Sequence, residues 1–391
     1  MVAGCAMLSW LMAHLATEHE RRKPINKWLE ARWTNKDWDF EERQVLATGA
    51  AAIPELVGLL RGDDQRLQLA AAQLLGRLGT KAVPAISELI QVLNREHQNN
   101  ASDVQNAAAT ALAEIGASAV PHLIKSLSNP HYRVRGIAAR ALGEIGPDAL
   151  PAKGTLAKLL DNEHIFVRVE AAKALWKIEK QADTPVRILV DILANEDDES
   201  SQGAQYALQL IGPQVKPVLP LLVELINSPS AFRREAAIKV IESSGDKVVL
   251  LAALPGALYD PEPRVRLAAA RALSRVGVSL ETTVPVLADL VTNSDRHIRL
   301  DAVSSLAALG PAAYAAARQV IAALKDPDEH VRMKAAWALG EIGLDAKEAE
   351  PSLVEALSDA DNTVRQNALR SLNRIEPKKR DKPKKRDRSN Y

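Results

Sequence analysis

The chain has 391 residues, 47% of them apolar and only 4% aromatic, so it can bury a sizeable interior of Leu, Ile, Val and Ala. A single cysteine, Cys5, excludes a disulfide framework and any cysteine-rich metal site, which fits a cytoplasmic protein. The formal charge of +1 is unevenly distributed: residues 376–391 carry net +5, which leaves the rest at −4.

Residues 1–41 are expected to stand apart from the remainder of the chain. The stretch Met1 to Thr17 is mostly apolar but short of the roughly 20 residues that span a bilayer, and no basic residue precedes it as in a signal peptide. Val2-Ala3-Gly4-Cys5 resembles a bacterial lipobox without its leader. A capping helix or a truncated membrane anchor is the expectation, the second implying a membrane-anchored protein. Trp28, Trp33 and Trp38 come next, suited to covering the open face of a first repeat or to meeting a partner.

From residue 42 to 375 one pattern recurs. A worn copy (Glu42 to Leu60) is followed by copies at Leu67 to Gly79 and Val104 to Gly116. Then come Val134-Arg135, Val167-Arg168, Val265-Arg266, Ile298-Arg299, Val331-Arg332 and Val364-Arg365, every step being 33 residues except one. That exception spans 98 residues, and Gly203 to Gly212 and Phe232 to Gly245 fill it as degenerate copies. About ten units result, a tandem array rather than one enclosed pocket.

The copy Val134 to Leu160 shows what one unit predicts. Val134, Ile137, Ala138, Ala141, Leu142 and Ile145 keep helical spacing, Gly146 serves as a left-handed C-cap, and Pro147 stops the helix. A second apolar run (Leu150, Leu156, Leu159, Leu160) has Pro151 in its first turn, so the unit is a helical hairpin. The alanines allow close backbone approach, and stacking stabilises what a lone hairpin would leave exposed.

An acid precedes the arginine in several copies: Asp161 before Arg168, Asp260 before Arg266, Asp326 before Arg332, Asp359 before Arg365. The expectation is a structural ladder of charge-assisted hydrogen bonds through Arg135, Arg168, Arg266, Arg299, Arg332 and Arg365, rather than a row that grips an anion.

The segment VRMKAAWALGEIGLDAKEAEPSLVEAL (Val331 to Leu357) resembles the short HEAT-like repeats named after phycobilisome lyases. The resemblance implies an all-α, right-handed α-solenoid of about ten HEAT-like hairpins, with the valine-arginine helix lining the concave face. Deoxyhypusine hydroxylase, built on similar repeats, carries His-Glu pairs just after the arginine slot for two irons. Here those places read Gly136-Ile137, Val169-Glu170, Gln202-Gly203, Glu235-Ala236, Leu267-Ala268, Leu300-Asp301, Met333-Lys334 and Gln366-Asn367, none of them His-Glu. His131, His164, His297 and His330 fall in loops, where solvated or capping roles are expected. No phosphate loop, dinucleotide fingerprint, nucleophile elbow or HExxH motif is present. Neither a cofactor nor a metal is expected, and a body of net negative charge argues against nucleic acid on the repeats.

The pattern breaks in three places: the loop Asn94 to Asp103, the acidic run Glu196-Asp197-Asp198-Glu199 with Ser201 in the arginine slot, and Val248 to Pro263, where Pro255 and Gly256 interrupt a second helix. A basic protein partner is expected at Glu196, Asp197, Asp198, Glu199, Gln202, Tyr206, Arg233 and Arg234. The tail 376–391, rich in Lys and Arg, is read as disordered and as a possible contact to a polyanion or anionic membrane. The expected function is a non-catalytic scaffold that binds a protein of unknown identity. The alternative is an enzyme or enzyme accessory of the phycobilin-lyase type.

Overall fold

The computed structural model describes residues 43, 45–95, 103–180, 183–277, 279–343 and 348–375; the N-terminal segment, the middle of the Asn94 to Asp103 loop and the basic tail lie outside the described residues. The described residues form helices and turns with no strand, an all-α solenoid of helical hairpins. The repeats divide into two compact units, Met1–Ala207 and Leu208–Tyr391.

In the first unit the elements run Ile53–Arg61 (α1), Gln65–Arg77 (α2), Ile86–Leu93 (α3), Asp103–Ile115 (α4), Val120–Ser126 (α5), Tyr132–Ile145 (α6), Lys153–Lys158 (α7), Ile165–Glu179 (α8) and Asp183–Asn195 (α9). The boundary falls within Asp198–Ile211 (α10). The second unit continues with Leu219–Leu225 (α11), Ala231–Ser244 (α12), Lys247–Ala253 (α13), Pro263–Arg275 (α14), Leu280–Leu290 (α15), Arg296–Leu309 (α16), Ala317–Ala322 (α17), Glu329–Ile342 (α18), Glu350–Ala356 (α19) and Asn362–Ile375 (α20). Even-numbered helices from α2 to α20 are the ten that carry the valine-arginine beat or its degenerate form.

The hydrophobic period decides which face goes inward. In α6, Val134, Ile137, Ala138, Ala141 and Leu142 are each at most 2% exposed. The first glycine of ALGxIG is a packing device. A Cβ on Gly143 would lie 2.8 Å from the Ala174 Cα of α8, and one on Gly76 would lie 3.0 Å from the Ala111 Cα of α4. Successive arginine-led helices thus touch backbone to backbone, with Gly143 against Ala174 of the next repeat. The second glycine does something else: Gly146 has φ 74° and ψ −138°, a region closed to side chains but distinct from the left-handed cap that the sequence implies.

That conformation opens a 3-10 segment, Gly146–Ala152, before α7 begins. Pro151 therefore lies inside the 3-10 turn and not in the first turn of an α-helix, and Leu150 points outward, 56% exposed, while Ala149 and Ala152 take the core positions at 0%. Elsewhere the first-turn proline is found, as Pro54, Pro121, Pro220 and Pro351. α13 ends at Ala253 and Pro255 opens a 3-10 turn to Tyr259, but Leu159–Asp161 and Ala323–Lys325 make similar turns without proline.

Candidate interaction surface

The arginine slot begins each arginine-led helix and ties it to two loops. Arg332 donates from Nη1 to the carbonyls of Asp326 and Pro327 in its own loop (2.9 and 3.2 Å), and from Nε and Nη2 to both carboxylate oxygens of Asp359 in the next (2.8 and 3.0 Å). Arg299 does the same with Asn293, Ser294 and Asp326, and Arg234 with Ser228, Pro229 and Asp260. The ladder exists, but the acid partner comes 26 or 27 residues after the arginine in these rungs. The residue six before supplies only its carbonyl.

Three expectations change with that geometry. Asp161 is not a rung, because Asn162 holds the loop place: its carbonyl accepts from Arg168 (3.0 Å) and its side chain from Arg135 (3.2 Å). Arg266 binds the carbonyl rather than the carboxylate of Asp260 (2.8 Å), and its nearest acid is Asp289 at 3.9 Å. Arg234, grouped in sequence with a partner surface, has a side chain only 12% exposed, and Asp260 fills its guanidinium fork. In the first unit Arg135 meets Glu163 (3.0 Å) and Arg168 meets Glu196. Gln68, Gln105 and Ser201 occupy the slot with neutral groups that donate to carbonyls at the end of the preceding helix and in the loop after it.

The charges are balanced by this arrangement. The hydrogen bond from Arg332 holds the Asp359 carboxyl below its ordinary range and raises Arg332, with burial opposing both. Burial pushes Asp260 up, yet the bonds from Arg234 and the Glu262 N–H together bring it below the ordinary value. A neutralised, half-buried guanidinium has no free fork for a ligand.

Further along the same helices, other polar side chains make a second set of cross-repeat contacts. Lys177 pairs with Glu144 (2.5 Å), Arg275 with Glu242 (2.5 Å), and Arg140 donates to the Asn106 amide oxygen (2.7 Å). Between these ridges run grooves. One of about 550 Å³ between α2 and α4 is lined by Gln73, Arg77, Asn106, Thr110 and Glu114 among others. A second of about 400 Å³ between α4 and α6 shares Asn106, Thr110 and Glu114 and adds Arg140 and Glu144. A third of about 370 Å³ shares Asn106 and Arg140 and reaches Phe166 of α8. Sharing these lining residues, the three adjoin one another along α2, α4, α6 and α8 and are together called the trough. In the second unit a groove of about 480 Å³ lies between α14 and α16, lined by Arg271, Arg275, Asp301, Ser304 and Ser305.

Of the residues expected to meet a partner, Glu196 is held by Arg168, Asp197 is exposed just before α10, Asp198, Glu199 and Gln202 are exposed in its first turns, and Tyr206 is 60% exposed on the same helix. Arg233 and Arg234 belong to the other unit. Asn106, Thr110, Glu114, Arg133, Arg140 and Phe166 did not stand out in sequence. Their signal is faint: Gly136 stands where other copies carry a side chain, and Phe166 where most carry a polar residue, Phe232 being the exception.

His164 stacks on Tyr132 with ring centroids 4.1 Å apart, and the backbone N–H groups of His297 and His330 donate to the capping carboxylates of Asp295 and Asp328. Among the described residues no three His, Cys, Asp or Glu side chains gather as a metal would require.

The HEAT-repeat family profile matches residues 86–153, 120–209, 186–274, 218–307 and 317–385. The chain belongs to the HEAT-repeat family. Solved HEAT-type folds superpose on it: Kap121p bound to Nup53p, at 14% identity over 90% of this chain and 45% of that chain with TM-score 0.52, and Kap121p bound to Pho4p, at 14%, 90%, 45% and 0.53. The karyopherin Kap121p bound to the extreme C-terminus of the protein phosphatase Cdc14p gives 13%, 90%, 45% and 0.52. The chain spans less than half the length of these proteins, and at such identity the likeness is one of fold. No curated protein matches the sequence.

Proposed function

We propose that this HEAT-repeat protein is a non-catalytic scaffold that holds a segment of a partner protein along the groove face of its arginine-led helices. The carrying observation is a division of labour along these helices: the slot side chains Gln68, Gln105, Arg135 and Arg168 are consumed by the loops, while Gln73, Arg77, Thr110, Glu114, Arg140 and Glu144, further along α2, α4 and α6, border the adjoining hollows. Family membership and the karyopherin-like fold support an interaction role.

A photo-crosslinking residue at Thr110, in the trough, is expected to yield a discrete protein adduct in cells, and one at exposed Gln91 of α3 to yield none. Adducts from Gln91 but not Thr110 would remove the groove reading.

Exposed Tyr206 beside the acidic run supports a second contact there, with a basic segment. Reversing Asp197, Asp198 and Glu199 to lysine is expected to weaken partner capture. The closeness of Val331 to Leu357 to the phycobilisome-lyase repeats supports that narrower class, and bilin transfer in a reconstituted assay is its test.

A further inference from the structure

We propose that the hollow where α4, α6 and α8 meet is an anchor pocket for an acidic side chain of an extended partner segment. The inference rests on the groove face being the binding face and names what one place on it recognises.

The hollow, about 370 Å³, is walled by Asn106, Tyr132, Arg133, Ile137, Arg140 and Phe166. Its two guanidiniums differ from those of the ladder. Arg133 donates from Nε to the Tyr132 hydroxyl (3.1 Å) and lies 5.6 Å from that ring's centroid. Arg140 donates to the Asn106 amide oxygen. Both partners are neutral, and among the described residues neither arginine meets a carboxylate, whereas Arg135, Arg168, Arg234, Arg299 and Arg332 each do. Two uncompensated positive charges bordering one hollow select an anion, and the fork geometry of guanidinium suits a carboxylate.

The rings make the pocket particular to this repeat. Gly136 leaves a notch into which the Phe166 ring fits so closely that a Cβ there would lie 2.2 Å from its Cε1. Phe166 is still 36% exposed, and His164 backs Tyr132 from behind. Aromatic walls shed water around the arginines, so a charge seated there interacts more strongly than on open surface.

The trough decides between anions. Leading away from the hollow it is bordered by Glu144, already paired with Lys177, and by Glu114, which meets no cation among the described residues. A nucleic acid strand would carry its phosphates past these carboxylates at a cost, while a peptide can place an acid in the hollow and a base near Glu114. Four arginine-led helices at about 8 to 10 Å spacing give a trough of roughly 25 to 30 Å, the reach of about eight extended residues.

The test uses the full chain and two fluorescein-labelled peptides of about eight residues, one of glutamate, tyrosine and glycine, the other with glutamine for every glutamate. Anisotropy titration is expected to show the acidic peptide binding at least about tenfold tighter than its twin. R133E/R140E abolishes that preference with an unchanged circular dichroism spectrum. If the double variant does not fold, Arg133→Gln, on an exposed side chain, and Gly136→Ala, which displaces the Phe166 ring, are each expected to weaken the acidic peptide at least about threefold. Equal binding of the two peptides, a preference that survives these substitutions, or oligodeoxythymidylate of the same charge binding as tightly as the acidic peptide overturns the proposal. Adducts at Thr110 with equal peptide binding would sink the acidic anchor alone; missing adducts at Thr110 would sink the groove reading.

Discussion

Arg332 reaches the Asp326 carbonyl in its own loop and the Asp359 carboxylate in the next, so one side chain fixes the step between two repeats. Because the bond from Arg332 holds Asp359 below its ordinary pKa in the folded state, the rung contributes stability above the unfolded value of about 4 and loses it as pH falls through the lower folded value. Asp260 behaves alike through Arg234, although burial opposes it. The urea midpoint is therefore expected to fall as pH drops below about 4, and Asp359→Asn to flatten part of that slope. Arg332→Met is expected to cost about 2 kcal/mol, since charge-assisted bonds are lost and a largely buried carboxylate is stranded. Two glycines of α6 make a second residue-scale contrast. Gly143→Ala pushes a Cβ against the Ala174 backbone of α8, which cannot step aside, and is expected to cost about 1 to 3 kcal/mol in urea unfolding. Gly136→Ala meets only the half-exposed Phe166 ring, which can rotate away, and should cost less than about 1 kcal/mol on the scale of tolerated repacking.

The hairpins themselves were legible, because apolar residues at helical spacing followed by glycine admit few other readings. Val134, Ile137, Ala138, Ala141 and Leu142 are buried as their spacing requires. The 3-10 entry to the second helix was not legible. An i, i+3 pattern suits both helix types, so the exchange of Leu150 for Ala149 and Ala152 in the core shows only in three dimensions. The direction of the ladder was hidden for a related reason. A fixed period places Asp326 both six residues before Arg332 and 27 after Arg299, and spacing cannot say which pair meets. The structure assigns the Asp326 carboxylate to Arg299 and only its carbonyl to Arg332. A double-mutant cycle is expected to find about 1 to 3 kcal/mol of coupling between Asp326→Asn and Arg299→Met, and coupling near zero between Asp326→Asn and Arg332→Met. The trough was illegible too, since its residues come from separate repeats and no local motif joins them.

The two units build their rungs differently. In the second, Asp260, Asp326 and Asp359 carry bidentate arginines, whereas in the first the slots hold Gln68 and Gln105, and the arginines meet Glu163, Asn162 and Glu196. Acid should accordingly loosen the second unit first. Hydrogen exchange after incubation near about pH 3, corrected for intrinsic rates, is expected to rise more in residues 208–375 than in 45–95 and 103–180. In a stack of repeats such local opening is natural, because each hairpin draws its stability from its neighbours. The same arrangement fixes where a partner can bind: the slot side chains are committed to the loops that join repeats, while Arg133 and the polar residues further along the helices border the hollows. Hydrogen-exchange footprinting of the protein with its crosslinked partner tests that division most directly. Protection concentrated in residues 69–77, 103–114 and 133–144, with the α3 and α5 helices unchanged, is the predicted result. Protection confined to α3, α5 and α7, with the trough exchanging as in the free protein, would contradict it.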